Sequence, residues 1–146
     1  MTGWRIGWLI APERLIKPIE RLAQNIFICP PAPAQAAALA ALGAHDECEA
    51  RRSLYANNRT KLITALPKIG LKPVVEPDGA FYVLLDTSPF AADSADFCKR
   101  ALDGGVALTP GVDFDEVRGR HWARLAYCVT AEEVEEGVKR LTALVS

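Results

Sequence analysis

The chain has 146 residues, with 17 Lys+Arg against 18 Asp+Glu, 50% hydrophobic residues and 24% charged ones. That apolar fraction supplies a core and excludes wholesale disorder, while a net charge of -1 leaves no surplus of cations to neutralise a nucleic-acid backbone. No apolar run approaches the roughly 18 residues of a membrane-spanning helix, and the opening MTGWRIGWLIAPER lacks the basic-then-apolar pattern of a secretory signal. Cys29, Cys48, Cys98 and Cys128 are far apart, without C-x-x-C spacing, and only His45 and His121 accompany them. They read as four small apolar thiols in a reducing cytoplasm, and no metal centre is indicated.

In chain order, Trp4–Ile10 reads as a short, mostly apolar strand interrupted by Arg5 and Gly7. Leu15, Ile19, Leu22 and Ile26 follow the stripe of an amphipathic helix. Pro18 sits inside that stripe, either opening the regular helix after a turn over Pro12–Lys17 or kinking a longer one. The prolines of Cys29–Pro33 predict a rigid, extended link, and the alanine-rich Gln35–Leu42 predicts a helix buried on several sides. Composition shifts at Gly43, and a domain boundary is placed near residue 45.

Asp46–Leu66 carries mixed charges over a leucine pattern and predicts a long, partly exposed helix that stops near Pro67–Gly70. A strand over Lys72–Glu76, a turn at Pro77–Gly79 and an apolar strand over Ala80–Asp86 follow. Ser94–Leu102 predicts a helix capped by Asp93 or Ser94 and ended by Gly104 and Gly105. Val106–Leu108 and Trp122–Val129 read as further strands. The last helix opens with the capping box Thr130–Glu133 and sets Val134, Val138, Leu141 and Val145 on one face. The order α-β-β-α-β-β-α from residue 46 gives an α+β layer with helices packed on a small sheet.

Three places break the local rules. In Gly3-Trp4-Arg5-Ile6-Gly7 a cation lies in an apolar strand, and flanking glycines allow close backbone approach. Arg5 there either snorkels to solvent or takes an anionic partner suited to its fork. On the strand Trp122–Val129, Trp122, Arg124, Ala126 and Cys128 share one face, and Ala123, Leu125, Tyr127 and Val129 the other. Arg124 is the single charge on either face, and burying it costs several kcal/mol unless it is paired. No acid neighbours it on that strand, so its partner is either a distant Asp or Glu or a bound anion. The third place, Thr109–Asp115, is a Pro-Gly turn leaving a strand with Phe114 held nearby.

Together these segments are similar to the C-terminal part of the class I/II aminotransferases, the fold-type I enzymes that use pyridoxal 5'-phosphate. The matching blocks are MTGWRIGWLIAPERLI, PPAPAQAAALAAL, EPDGAFYVLLD, GVALTPGVDFD and ARLAYCVTAEEVEEGVKRL, in family order across essentially the whole chain. The resemblance implies an α/β protein in which 1–45 is a strand-helix-helix remnant of the large cofactor-binding domain and 46–146 the small C-terminal domain. It gives Arg5 the cofactor phosphate and Arg124 the substrate α-carboxylate. Gly79–Tyr82 and Pro110-Gly111 resemble segments that pack near the substrate entrance, and Asp115 departs from the pattern where the family often has glycine.

The resemblance also implies a Schiff-base lysine roughly eight residues before the phosphate-binding arginine, a position that lies ahead of Met1. No lysine of the chain, Lys17, Lys61, Lys68, Lys72, Lys99 or Lys139, stands in that context. The expectation is therefore a C-terminal portion of an enzyme that transfers an amino group between an amino acid and a 2-oxo acid. Met1 is then an internal methionine, and the parent a cytoplasmic homodimer. A lyase or decarboxylase of the same fold, or a non-catalytic effector-binding module, are the alternatives. The apolar first third is expected to expose surface when the chain stands alone.

Overall fold

The computed structural model describes all 146 residues, which divide into two compact units, Met1–Glu49 and Ala50–Ser146. In the first unit, a single 3-10 turn over Thr2–Trp4 is followed by irregular chain to Pro12. The expected strand over Trp4–Ile10 is not formed. A strand needs a second extended segment to take its N–H and C=O groups, and the remaining regular elements of this unit are helical. Helix α1, Glu13–Ile26, begins well before Pro18, so the proline lies inside a longer helix. Helix α2, Ala32–Ala41, includes Pro33 in its first turn, where a missing N–H costs nothing. The extended link therefore ends sooner than three prolines suggested. Within α2 only Ala34 is buried, and Leu39 is 73% exposed, against the expectation of a helix buried on several sides.

Helix α3, His45–Ala65, carries the chain across the unit boundary and passes into a 3-10 turn, Leu66–Ile69, that Gly70 closes in the left-handed region at φ 87°. The second unit is built on three antiparallel strands, β1 (Tyr82–Asp86), β2 (Thr109–Pro110) and β3 (Trp122–Ala126), in the order β1-β3-β2. Helices α4 (Ser94–Asp103) and α5 (Ala131–Val145) complete it. The core lies on one face of the sheet, where Val83, Leu85 and Leu125 meet Leu62, Leu66 and Leu71 with Phe97 and Ala101 of α4 and Val134 and Leu141 of α5. Asn58, fully buried on α3, donates to the Tyr127 and Val129 carbonyl oxygens at 3.1 and 2.8 Å and ties that helix to the end of β3.

Two expected strands shrink for identifiable reasons. Lys72–Glu76 reduces to a bridge between Pro73 and Leu85, flanked by bonds from the Val74 N–H to the Leu84 carbonyl and from the Asp86 N–H to the Lys72 carbonyl, both 2.8 Å, while Val74 and Val75 find nothing to bury against. Val106–Leu108 is not paired, and β2 starts at Thr109. The Val106 N–H goes instead to the Ala101 carbonyl at 2.8 Å while the Gly105 N–H goes to Leu102 at 2.9 Å. That pair of bonds is a Schellman close of α4, with Gly105 at φ 82°. Asp93 alone caps α4, accepting from the Ala95 N–H at 2.7 Å, and the Thr130/Glu133 capping box opens α5 as expected.

The four thiols are unpaired, and three of them, Cys29, Cys48 and Cys128, are exposed, so they are not core residues. Cys98 is the exception: burial, with Asp113 and Asp93 nearby, pushes its thiol up to about 11. Alkylation of the native chain at pH 8 should label three cysteines and spare Cys98 until denaturant is added, as read by intact mass. The first unit exposes Trp8 (74%), Ile10 (91%) and Ile26 (75%). The isolated chain should accordingly associate and bind a dye for apolar surface; a sharp monomer by light scattering, without dye binding, contradicts this.

Candidate functional site

The face of the sheet opposite the core carries Tyr82 and Leu84 from β1 and Trp122 and Arg124 from β3, since alternate residues of a strand point the same way. Register places Leu84 and Thr109 on either side of Arg124, and Tyr82 opposite Ala126, diagonal to the arginine. Alanine at 126 offers Tyr82 no bulk directly across, and the ring leans along the strand to the guanidinium. Arg124 Cζ lies 4.3 Å from the Tyr82 ring centroid and 4.5 Å from that of Phe114. Its one hydrogen bond is donated to Thr109 Oγ1 at 3.4 Å. No carboxylate oxygen lies within 4 Å of it, whereas Arg100, Arg118 and Arg140 each have an acid partner.

Phe114 comes from the loop after β2, and the loop is held in three ways. Gly111 and Gly119 pass backbone against backbone: a Cβ on Gly111 would fall 2.5 Å from the Gly119 carbonyl oxygen, so both positions demand glycine. Ser94, buried at the start of α4, donates to that same Gly119 oxygen at 2.8 Å. Asp115 accepts from the Val117 and Arg118 N–H groups, both at 2.9 Å. The residue that departs from the resembled family is thus the one that closes the turn, as a short acidic side chain does over the next two or three amides. Phe114 then lies parallel to Trp122, with ring centroids 6.2 Å apart and planes at 10°.

Arg5 belongs to the first unit and stands in different surroundings. It takes the left-handed conformation, φ 55° and ψ 40°, and donates from its side chain to the Thr2 carbonyl at 3.2 Å. That conformation is costly for a residue with a Cβ, on the order of 1 kcal/mol. The side chain is exposed and meets no acid, so its remaining donors are free to take an anion from solvent. A Cβ built on Gly3 or Gly7 meets nothing within 4 Å, so the close backbone approach expected of those glycines is not realised within this unit.

Sequence reasoning singled out both arginines as candidates but did not show what surrounds Arg124. The aromatic residues stood in the quoted motifs, yet their convergence depends on strand register and on the Gly111–Gly119 crossing, which no single motif encodes. The signal within reach was the pairing of a charged residue with aromatic residues at alternate positions of neighbouring strands. No group of three or more His, Cys, Asp or Glu side chains is placed to hold a metal ion, and no helix is long and apolar enough to cross a membrane.

Backbone donors from Arg118 and Val117 hold the Asp115 carboxyl below its ordinary value. A depressed folded-state value means the carboxylate stabilises the loop above the ordinary carboxyl range, near pH 4, and that this contribution is lost as pH falls below it. Trp122 fluorescence should report loosening of the Phe114 stack on acidification below about pH 4, and Asp115→Asn should remove that pH dependence while keeping an acceptor for the turn. An unchanged acid profile in Asp115→Asn contradicts this assignment.

The family model for aminotransferase class I and II matches residues 1–141. The chain is 42% identical over 144 residues to a valine–pyruvate aminotransferase of Mycobacterium tuberculosis, covering 97% of this chain and 37% of that protein. It is 38% identical to an aspartate/prephenate aminotransferase of Thermus thermophilus, covering 96% and 36%. Among solved structures, an aminotransferase from Mycobacterium tuberculosis superposes with a TM-score of 0.89 at 40% identity, covering 99% of this chain and 38% of that one. The aspartate aminotransferase from Thermus thermophilus with maleate gives 0.83 at 36% identity, covering 99% and 38%. The chain thus spans less than two fifths of the length of the curated relatives it matches.

Proposed function

The chain belongs to the class I and II aminotransferase family, and from that premise we propose that it is the C-terminal portion of an enzyme that moves an amino group between an amino acid and a 2-oxo acid. Residues 1–45 are assigned to the larger, cofactor-binding domain and 46–146 to the small domain. The parent is read as a cytoplasmic homodimer. The observation that carries the substrate reading is Arg124: a part-buried guanidinium with no carboxylate within 4 Å, fixed on an aromatic sheet face. Such a group presents a fork that fits a carboxylate in two parallel hydrogen bonds. A relative whose structure holds maleate, a small dicarboxylate, is consistent with that choice of ligand.

The residues present also fit pyridoxal 5'-phosphate, which the resemblance implies. Arg5 offers free guanidinium donors in a stretch without acids, as a phosphate requires. Bound, that cofactor supplies an electron sink for charge developing at the substrate Cα. Arg5 would hold the phosphate against loss to solvent. Arg124 would fix the substrate by its α-carboxylate, so that the Cα–H bond keeps one direction relative to the reacting group, which lowers the entropic part of the barrier. The resemblance also implies a Schiff-base lysine, a role that none of the lysines of this chain is assigned.

The test is to extend the reading frame upstream in the genomic DNA, express the longer protein and follow amino transfer to a 2-oxo acid acceptor. Keto-acid-dependent transfer is expected, with KM for the amino donor raised on the order of a hundredfold in Arg124→Leu. The 146-residue chain alone is expected to show no turnover. Turnover by that chain, product formation independent of any 2-oxo acid, or an unchanged KM in Arg124→Leu would each overturn the proposal.

A further inference from the structure

We infer that Tyr82 and Phe114 are positioning residues that clamp the Arg124 guanidinium in place before a carboxylate arrives; the inference rests on the assignment of Arg124 to the substrate carboxylate. The strand order β1-β3-β2 puts β3 between its two neighbours. Tyr82, on β1, and Phe114, on the loop that leaves β2, therefore reach Arg124 from the two sides of its own strand, at 4.3 and 4.5 Å. Those distances are well inside the roughly 6 Å over which a ring face attracts a cation.

The choice of rings over an acid has a chemical consequence. A carboxylate partner would occupy the N–H fork and compete with any incoming anion. A ring beneath Cζ offers the N–H donors no lone-pair acceptor of the kind a carboxylate would, so they stay unpaired apart from the one that Thr109 Oγ1 takes at 3.4 Å. Lysine would not serve as well, because an ammonium is a point charge without the fork that meets a carboxylate in two parallel bonds. A free arginine side chain also has several rotatable bonds to freeze on binding, and ordering it beforehand removes that cost from the binding step.

The clamp is itself braced. Phe114 lies parallel to Trp122, two residues before Arg124 on the same face, at 6.2 Å and 10°. On the other side Tyr82 packs against Phe81 at 4.3 Å, and Phe81 against Tyr55 of α3 at 6.4 Å. The aromatic chain thus runs from the loop, through the arginine, to the helix that anchors the unit.

The experiment uses the upstream-extended protein, with pyruvate, a small 2-oxo acid carrying one carboxylate, as the probe. The Arg124 Nε–H resonance is assigned by its loss in Arg124→Lys. In the free chain it should be shifted upfield of the other arginines by the two rings, and it should move on titration with pyruvate. Tyr82→Leu and Phe114→Leu should each lose the ring shift and weaken pyruvate binding three- to tenfold, while Tyr82→Phe retains both. Phe114 is 53% exposed, so its replacement removes little from the core, and the rest of the amide spectrum serves as the check on folding. A merely structural role would change the melting temperature and leave affinity alone: variants that lose the ring shift but bind as tightly as the parent chain overturn the clamp and leave the carboxylate assignment standing. A parent chain whose Arg124 resonance ignores pyruvate overturns that assignment, and the clamp with it.

Discussion

Full removal of a guanidinium from water costs several kcal/mol, while each ring contact at an accessible site returns about 1 kcal/mol or less. Two rings therefore cannot support a fully buried Arg124, and the arrangement holds because the residue is only partly buried. Much of the second unit follows from that balance. The core face of the sheet is closed by α3, α4 and α5, whereas the Arg124 face must stay open enough to keep water on the charge. Short strands and a small residue at 126 keep it open, and a loop pinned by two glycines brings a ring close without burying the cation.

The helices and caps of the second unit were legible because they are local. The capping box at Thr130–Glu133, the Asp93 cap and the Gly104-Gly105 stop each need only a few consecutive residues, and the structure places all three as read. The strands were legible only where burial on one face reinforced the alternation, as in Tyr82–Asp86 and Trp122–Ala126. Where it did not, competing bonds won. Val106 has the composition of a strand residue, yet closing α4 takes its N–H, and the segment around Pro73, whose Val74 and Val75 stay exposed, keeps a single bridge.

The site shows the same division. Arg124 stood out because a charge on an otherwise apolar strand demands a partner, which a sequence can reveal. Its partners are rings that arrive from β1 and from the loop after β2, 42 and 10 residues away by their numbers, 124 less 82 and 124 less 114. Asp115 illustrates the reverse error. It reads as a departure from a pattern that favours glycine, yet its side chain accepts two amide hydrogen bonds and closes the turn itself. A substitution judged by residue type alone misses the acceptor that an aspartate brings to such a turn.

The first unit carries the opposite imbalance from the second. Its residues 4–10 have strand composition and no strand, and its helices α1 and α2 show apolar side chains that remain exposed. Burial of one such side chain is worth roughly 1.5–3 kcal/mol, so this surface represents more unrealised stabilisation than any ion pair in the chain could supply. The irregular backbone around Arg5 shows the general point: hydrophobic pattern alone fixes which side chains seek burial, but only a partner strand can fix the backbone that carries them.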